Sequence, residues 1–130
     1  MPEPMRYLID TTFLIDHLRG DHAARERMAR LAEVGDELFV NEVVVAEAWA
    51  GAHGGADPDL ELFLRSLEFV QPAPDAAQAA GRWRAGAHAR GWTLSMTDAL
   101  IAAAADSLDA TLLTRNLRDF ALTPIRVEAY

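Results

Sequence analysis

The amino-acid sequence predicts an α/β protein with a central, mostly parallel sheet flanked by helices. Short apolar segments alternate along the chain with longer segments of helical periodicity, which is typical of repeated strand–helix units. These short segments are apolar throughout, as expected for strands that helices cover on both faces. No linker, internal repeat or low-complexity tail divides the 130 residues. We therefore expect a single domain spanning residues 1–130.

The chain begins with a strand that is followed by two helices. Residues 6–10 form a buried strand, and Thr11 or Thr12 offers a side-chain cap for the first helix. That helix ends at Gly20, and Asp21 caps the second helix. Both helices thus begin near a side-chain oxygen that can accept a backbone N–H.

A second strand and a third helix come next. The second helix ends at Gly35, and the apolar segment 38–40 forms the strand. Asn41 caps the third helix, which runs through Glu47 to the glycine-rich region 51–55. The strand therefore leads directly into a helix that carries an acidic residue.

The C-terminal half continues this alternation of strands and helices. Its elements are, in order, a helix over 60–67, a strand at 69–70, a helix from 75 to about 90 that stops at Gly91, a helix capped by Thr97, and strands at 111–114 and 125–127. In parallel sheets of this kind, ligands bind beyond the carboxyl ends of the strands.

The composition indicates the compartment. Cysteine is absent, which excludes a disulfide framework and a thiolate zinc site. Residues 1–5 contain no apolar core of a signal peptide. The apolar stretches are also far shorter than the roughly 20 residues that span a bilayer. We expect a cytoplasmic protein without a membrane segment.

The net charge limits the partners that the protein can bind. The formal charge is −8, and binding of nucleic acid irrespective of its sequence relies on cationic contacts to phosphates. The charge therefore argues against broad nucleic-acid binding, and any such contact must be local or shared between protomers. A basic protein partner is equally compatible with the charge.

Four acidic residues stand where an apolar segment ends or where the helical pattern would bury them: Asp10, Glu47, Asp98 and Asp119. Glu47, for example, lies on the same predicted helix face as apolar Val43. Two carboxylates about 4 Å apart repel by about 4 kcal/mol at an effective dielectric near 20, so such a cluster needs a cation or bound protons. A site of carboxylates alone suits Mg²⁺ or Mn²⁺.

Each acid also has an ordinary structural interpretation. Asp10 can cap a helix, Glu47 can form a buried ion pair with an arginine, and Asp98 can stabilise a helix dipole from the first turn. Asp119 can be a turn residue or a partner for Arg118. None of these interpretations explains why the acids recur at strand ends.

Four segments together resemble the PIN-domain family, specifically the VapC-type toxins of bacterial toxin–antitoxin pairs: LIDTTFLID, VNEVVVAEAWAG, LSMTDALIAAAA and TLLTRNLRDF. The resemblance implies a three-layer PIN-like fold and a metal-dependent endoribonuclease that hydrolyses RNA phosphodiester bonds with water activated on Mg²⁺ or Mn²⁺. It also implies a homodimer and a small cognate antitoxin that inhibits it.

The resemblance assigns roles to individual residues. It implies that Asp10, Glu47 and Asp98 bind the metal. It implies supporting hydroxyls at Thr11 or Thr12 and at Thr114. Many family members have an aspartate where Asn116 stands. Because this chain has an asparagine there, we take Asp119, three residues later, as the fourth acid and Asn116 as a supporting or water-holding group. This departure from the family pattern leaves a second metal position in question.

Two other functions remain open at this point. An α/β phosphatase can use an aspartate such as Asp10 as its nucleophile, but Thr12 occupies the place of the second acid in the phosphatase pattern DxDxT. A non-catalytic acidic binding module of PIN-like fold would use the same carboxylates to bind a basic protein. Metal-dependent RNA cleavage would identify a nuclease and would exclude both of these alternatives.

Overall fold

The computed structural model describes residues 3–52 and 55–130. Residues 1, 2, 53 and 54 lie outside these ranges. The segment 1–5 and the predicted glycine-rich break at 51–55 are therefore described only in part. Helical segments separate each strand from the next, as the sequence predicts for all but the last two strands, between which the structure has a 3₁₀ helix. The elements are β1 (Arg6–Ile9), α1 (Thr11–Leu18), α2 (His22–Val34), β2 (Glu37–Asn41), α3 (Glu42–Gly51), α4 (Pro58–Arg65), β3 (Glu68–Val70), α5 (Pro74–Ala89), α6 (Met96–Ser107), β4 (Thr111–Leu113), a 3₁₀ helix (Leu117–Phe120) and β5 (Val127–Glu128).

The strands form one sheet in the order β3-β2-β1-β4-β5. In the central strand β1, Leu8 pairs with Phe39 of β2 and with Leu112 of β4. Leu8, Ile9 and Leu112 are fully buried because helices pack against the sheet. The predicted central sheet is confirmed, and every strand pairing among the described residues is parallel.

Side chains at the predicted positions begin α2 and α3. The carboxylate of Asp21 accepts a hydrogen bond from the Ala24 backbone nitrogen at 3.0 Å, and the amide oxygen of Asn41 accepts one from the Val44 nitrogen at 3.1 Å. Gly35 ends α2 with a φ of 85°, a left-handed conformation that glycine adopts without steric cost. Asn41 thereby fixes the direction in which α3 leaves the sheet.

The predicted threonine caps of α1 and α6 are wrong, whereas the interpretation of Asp10 as a helix cap is confirmed. Asp10 caps α1, because Thr11 and Thr12 already belong to its first turn. Ser95 caps α6 in the same way, because Thr97 lies inside that helix. A capping residue has an extended backbone just outside the helix, and Asp10 and Ser95 have ψ values of 163° and 155°. Asp10 therefore lies between the last residue of β1 and the first residue of α1.

Several other boundaries differ by one or two residues from the prediction, and the helix expected over 60–67 is α4 at Pro58–Arg65, which begins earlier because Asp57 caps it. The long helix α5 begins at Pro74 and ends at Ala89. The last strand lies at residues 127–128, and not at 125–127, because β4 sets its register by pairing Leu112 with Val127. Among the described residues, no helix is long and apolar enough to cross a lipid bilayer.

Candidate active site

Three parallel strands deliver polar residues to one edge of the sheet. β1 is followed directly by Asp10, β2 ends at Asn41, and β4 is followed by Thr114. Since the strands are neighbours in the order β2-β1-β4, their carboxyl ends lie side by side. Asp10, Asn41 and Thr114 are all buried at this edge. The edge is where an open parallel α/β sheet binds its ligands.

The Asp10 carboxylate is held from three directions. Its Oδ1 accepts a hydrogen bond from the Thr11 backbone nitrogen at 2.7 Å. Its Oδ2 accepts hydrogen bonds from the hydroxyls of Thr114 at 2.6 Å and Thr12 at 3.2 Å. Burial raises the pKa of Asp10 above its usual 3.8, although the hydrogen bonds from Thr114, Thr11 and Thr12 act in the opposite direction. The carboxylate is thus fixed in place while its charge is only partly compensated.

Glu47 joins the site through Thr11, whose hydroxyl donates to Glu47 Oε1 at 2.7 Å. Thr11 therefore bridges two of the predicted acids, because its backbone nitrogen binds Asp10. The predicted burial of Glu47 is wrong, since α3 buries Val44 and Ala48 and leaves Glu47 exposed. The alternative of a buried ion pair is also wrong, because within the described ranges no arginine or histidine nitrogen lies within 4.0 Å of its carboxylate.

Asp98 lies half-buried in the first turn of α6. Burial raises the pKa of its carboxyl above the usual 3.8, and the hydrogen bond from Ser95 lowers it. The negative charges of Asp119, Asp10 and Glu47 raise this pKa further. Asp98 therefore shares an electrostatic environment with the other three acids, which come from three separate segments of the chain.

The fourth segment contributes Asp119 from the exposed 3₁₀ helix. Asp119 and Arg118 form no ion pair in the described part of the chain. The backbone nitrogen of Asn116 donates to the Thr114 hydroxyl at 2.9 Å, and the Asp119 nitrogen donates to the Asn116 carbonyl at 3.1 Å. Asn116 thus connects the two residues through its backbone.

The side chains fit a divalent cation in donor type and charge. All four acids offer oxygen ligands, and none forms an ion pair within the ranges that the structure covers. Carboxylate oxygens are the preferred protein ligands of Mg²⁺ and also suit Mn²⁺. Among the described residues, however, no three acidic or histidine side chains are close enough together to hold an ion between them. The acids share one electrostatic neighbourhood without the short spacing of a closed metal site.

Sequence reasoning missed a charged cluster beside these acids. Arg115 follows Thr114 directly and forms ion pairs with Asp16 and Asp21. Its guanidinium carbon lies 5.0 Å from the centre of the Tyr130 ring. We call these four residues the Arg115 cluster. Only the position of Arg115 next to Thr114 signals it, since nothing in the sequence pattern places Tyr130 here.

Comparison with known proteins decides the family. A family profile described as the PIN domain matches residues 7–124. The chain belongs to the PIN-domain family. It is 37% identical over 117 residues to Ribonuclease VapC19 of Mycobacterium tuberculosis, which covers 90% of this chain and 94% of the relative.

Two solved structures illustrate the fold that this chain shares. VapBC2 from Rickettsia felis, bound to a DNA fragment from its promoter, matches with a TM-score of 0.85 and 22% identity over 97% of this chain and 99% of that chain. A toxin–antitoxin complex from Klebsiella pneumoniae matches with a TM-score of 0.73 and 25% identity over 91% and 92% of the two chains. The chain therefore has the fold that the resemblance in its motifs implies.

Proposed function

We propose that this PIN-domain protein is a metal-dependent endoribonuclease and the toxin of a toxin–antitoxin pair. The observation that carries the proposal is the link through Thr11, which donates hydrogen bonds of 2.7 Å to both Asp10 and Glu47 beside the carboxyl end of β1. The pKa of Asp98 rises through burial and through the charges of the other three acids. The name ribonuclease of the relative at 37% identity supports the same activity.

In this proposal the four acids would hold Mg²⁺ or Mn²⁺, and Asp10 would be the fixed ligand. A bound ion supplies water activation and neutralises charge that develops on the phosphate during hydrolysis. The hydroxyls of Thr12 and Thr114 keep the Asp10 carboxylate oriented. The Thr11 hydroxyl keeps Glu47 beside it. Preorganised ligands of this kind avoid the cost of rearrangement during the reaction.

The same acids provide a way to inhibit the enzyme. Arginine forms bidentate hydrogen bonds with carboxylates, so an arginine of a cognate antitoxin would compete with the metal for the acidic edge. A basic inhibitor also suits a protein with a formal charge of −8. The Klebsiella pneumoniae neighbour, a toxin–antitoxin complex, supports a protein partner of this kind. A homodimer and an RNA substrate belong to the same proposal.

The first test is expression in a bacterium of wild-type protein, Asp98→Asn and Asp106→Asn. Asp106 is a matched control, because it is an exposed aspartate on the same helix α6. We expect growth arrest and RNA fragments with the wild type and Asp106→Asn, and neither with Asp98→Asn. Equal toxicity of all three proteins would contradict metal-based nuclease chemistry.

The second test uses purified protein and single-stranded RNA. We expect cleavage that increases with added Mn²⁺ and stops with a chelator. If no cleavage occurs at any Mn²⁺ concentration while a basic protein partner still binds, the acidic edge is a binding module. A phosphoenzyme trapped on Asp10 would instead identify an aspartate-based phosphatase.

A further inference from the structure

The Arg115 cluster lies next to the residues that bind Asp10. We propose that it positions the Asp10 carboxylate by setting the direction of two threonine hydroxyls. This inference rests on the proposed nuclease function. In this role Arg115 is a positioning residue, since its guanidinium pairs with Asp16 and Asp21 and forms no ion pair with Asp10 in the described part of the chain.

Arg115 ties the segment after β4 to the junction of α1 and α2. Its Nη2 lies 2.7 Å from Asp21 Oδ2, and its Nε lies 3.1 Å from Asp16 Oδ2. Asp16 belongs to α1 and Asp21 caps α2, so one guanidinium contacts both helices. Two carboxylates that bind different nitrogens of a planar guanidinium restrict its orientation more than a single ion pair does.

Tyr130 completes the cluster on the other side. Its hydroxyl donates to Asp16 Oδ2 at 2.6 Å, and its ring lies under the Arg115 guanidinium. Phe13 of the core contacts the same ring edge-to-face, with the ring centres 4.8 Å apart and an interplanar angle of 82°. Burial and the bond to Asp16 raise the pKa of Tyr130, so that its hydroxyl stays protonated and remains a donor. The cluster is therefore anchored to the core.

The backbone of residues 115 and 116 binds the two threonine hydroxyls that donate to Asp10. The backbone nitrogen of Arg115 donates to the Thr12 hydroxyl at 3.5 Å, and that of Asn116 donates to the Thr114 hydroxyl at 2.9 Å. A hydroxyl that accepts an N–H keeps its single proton for another acceptor. For Thr12 and Thr114 that acceptor is Asp10 Oδ2. Displacement of residues 115 and 116 would therefore release both protons from the carboxylate.

The contribution of the cluster to stability is expected to be small. The Arg115 side chain is 44% exposed, and partly exposed ion pairs stabilise proteins only weakly. Loss of the cluster should therefore change metal binding and catalysis more than folding. Outer contacts that orient metal ligands typically affect metal affinity or activity by about 10–100-fold.

The experiment compares Arg115→Gln with Arg27→Gln. Arg27 is a matched control, because it also pairs with a carboxylate, that of Glu128, and lies 5.7 Å from the centre of a tyrosine ring, that of Tyr7. For Arg115→Gln we expect Mn²⁺ affinity, measured by calorimetry, and kcat to fall by about 10–100-fold with little change in KM. For Arg27→Gln we expect no change in either quantity.

A double variant tests whether Arg115 acts through the hydroxyl. In a Thr114→Val background the Arg115→Gln change should reduce Mn²⁺ affinity much less than it does in the wild type, because the residues act as a unit. Tyr130→Phe removes only a hydroxyl and should show a smaller decrease in Mn²⁺ affinity. It replaces Arg115→Gln as the test variant if thermal melts show that Arg115→Gln does not fold.

The outcomes separate this inference from the proposed function. Wild-type protein that neither binds Mn²⁺ nor cleaves RNA would overturn both. An active wild type with Arg115→Gln and Tyr130→Phe unchanged in Mn²⁺ affinity and kcat would overturn the positioning role alone. A rise in KM and weaker RNA binding at unchanged Mn²⁺ affinity would also overturn it, because Arg115 would then contact the substrate.

Discussion

The two sides of the acidic edge differ in how firmly their carboxylates are held. Asp10 is 4% exposed and accepts three hydrogen bonds from threonines. Glu47 and Asp119 are exposed, and Glu47 is held by one hydroxyl. The buried side is therefore organised before any ligand binds, whereas the exposed side has fewer contacts that hold its carboxylates. The charges of Asp119, Asp10 and Glu47 all act on Asp98, but no three of the described side chains are spaced to hold an ion.

The largest expected effect compares Asp10→Asn with Asp119→Asn. Loss of the fixed carboxylate should lower kcat/KM for RNA by about 10²–10³-fold, which is the usual result of removing one preorganised electrostatic group. Loss of the exposed Asp119 should cost about 10-fold, because water or a neighbouring acid can replace it. Single-turnover cleavage at saturating Mn²⁺ measures both values. Equal losses would show that the two sides contribute alike.

A smaller effect is expected when the support of Asp10 is removed. Thr114→Val removes the hydroxyl that donates to Asp10 at 2.6 Å inside a fully buried site. We expect a loss of about 1.5–3 kcal/mol in the free energy of unfolding, the usual contribution of a hydrogen bond to a charged group. Activity should fall by about 10–100-fold. Urea unfolding and RNA cleavage provide the two measurements.

Two variants control the Thr114 experiment. Thr114→Ser keeps the hydroxyl and should retain most of the stability and activity. Thr11→Val removes the bond to exposed Glu47, and we expect less than about 1 kcal/mol of destabilisation, because exposed polar contacts contribute little. If Thr11→Val were as damaging as Thr114→Val, the contrast between the buried and the exposed side would be wrong.

The positions of the buried acid and its neighbours followed from the sequence. Short apolar segments predicted parallel strands, and parallel strands bring their carboxyl ends to one edge. Asp10, Asn41 and Thr114 each stand at the end of one of these segments in the sequence, and the structure brings all three to one edge of the sheet. The fold was predictable because each of its strands is marked by a local pattern.

The exposed side was harder to predict, since its features depend on contacts between distant segments. The helical pattern placed Glu47 on one buried face with Val43, Val44 and position 48, but α3 buries only Val44 and Ala48 of these and leaves Glu47 exposed. Periodicity identifies a helix face to within a residue or so, and one residue shifts a side chain by about 100° around the axis. Tyr130 lies 114 positions from its partner Asp16, and no local pattern connects them.

The smallest expected effect concerns the stability of the metal-free protein. The pKa of Asp98 is raised in the folded state by burial and by the charges of Asp119, Asp10 and Glu47. Between pH 3.8 and the raised value, the folded protein binds more protons than the unfolded chain, so stability decreases as the pH rises through this window. In chelator at neutral pH, Asp98→Asn should therefore melt at a slightly higher temperature than the wild type.

The gain should disappear below pH 3.8, where both folded and unfolded wild type carry a protonated Asp98. It is partly offset at neutral pH, because the dipole of α6 favours a charge in its first turn by about 0.3–1 kcal/mol. Added Mn²⁺ should reverse the order, since an ion that binds only the folded wild type raises its melting temperature by mass action. Thermal melts of both proteins at neutral and acidic pH, with chelator or Mn²⁺, test this. An Asp98→Asn protein less stable than the wild type in chelator at neutral pH would mean that burial and the neighbouring acids do not disfavour the charge of Asp98.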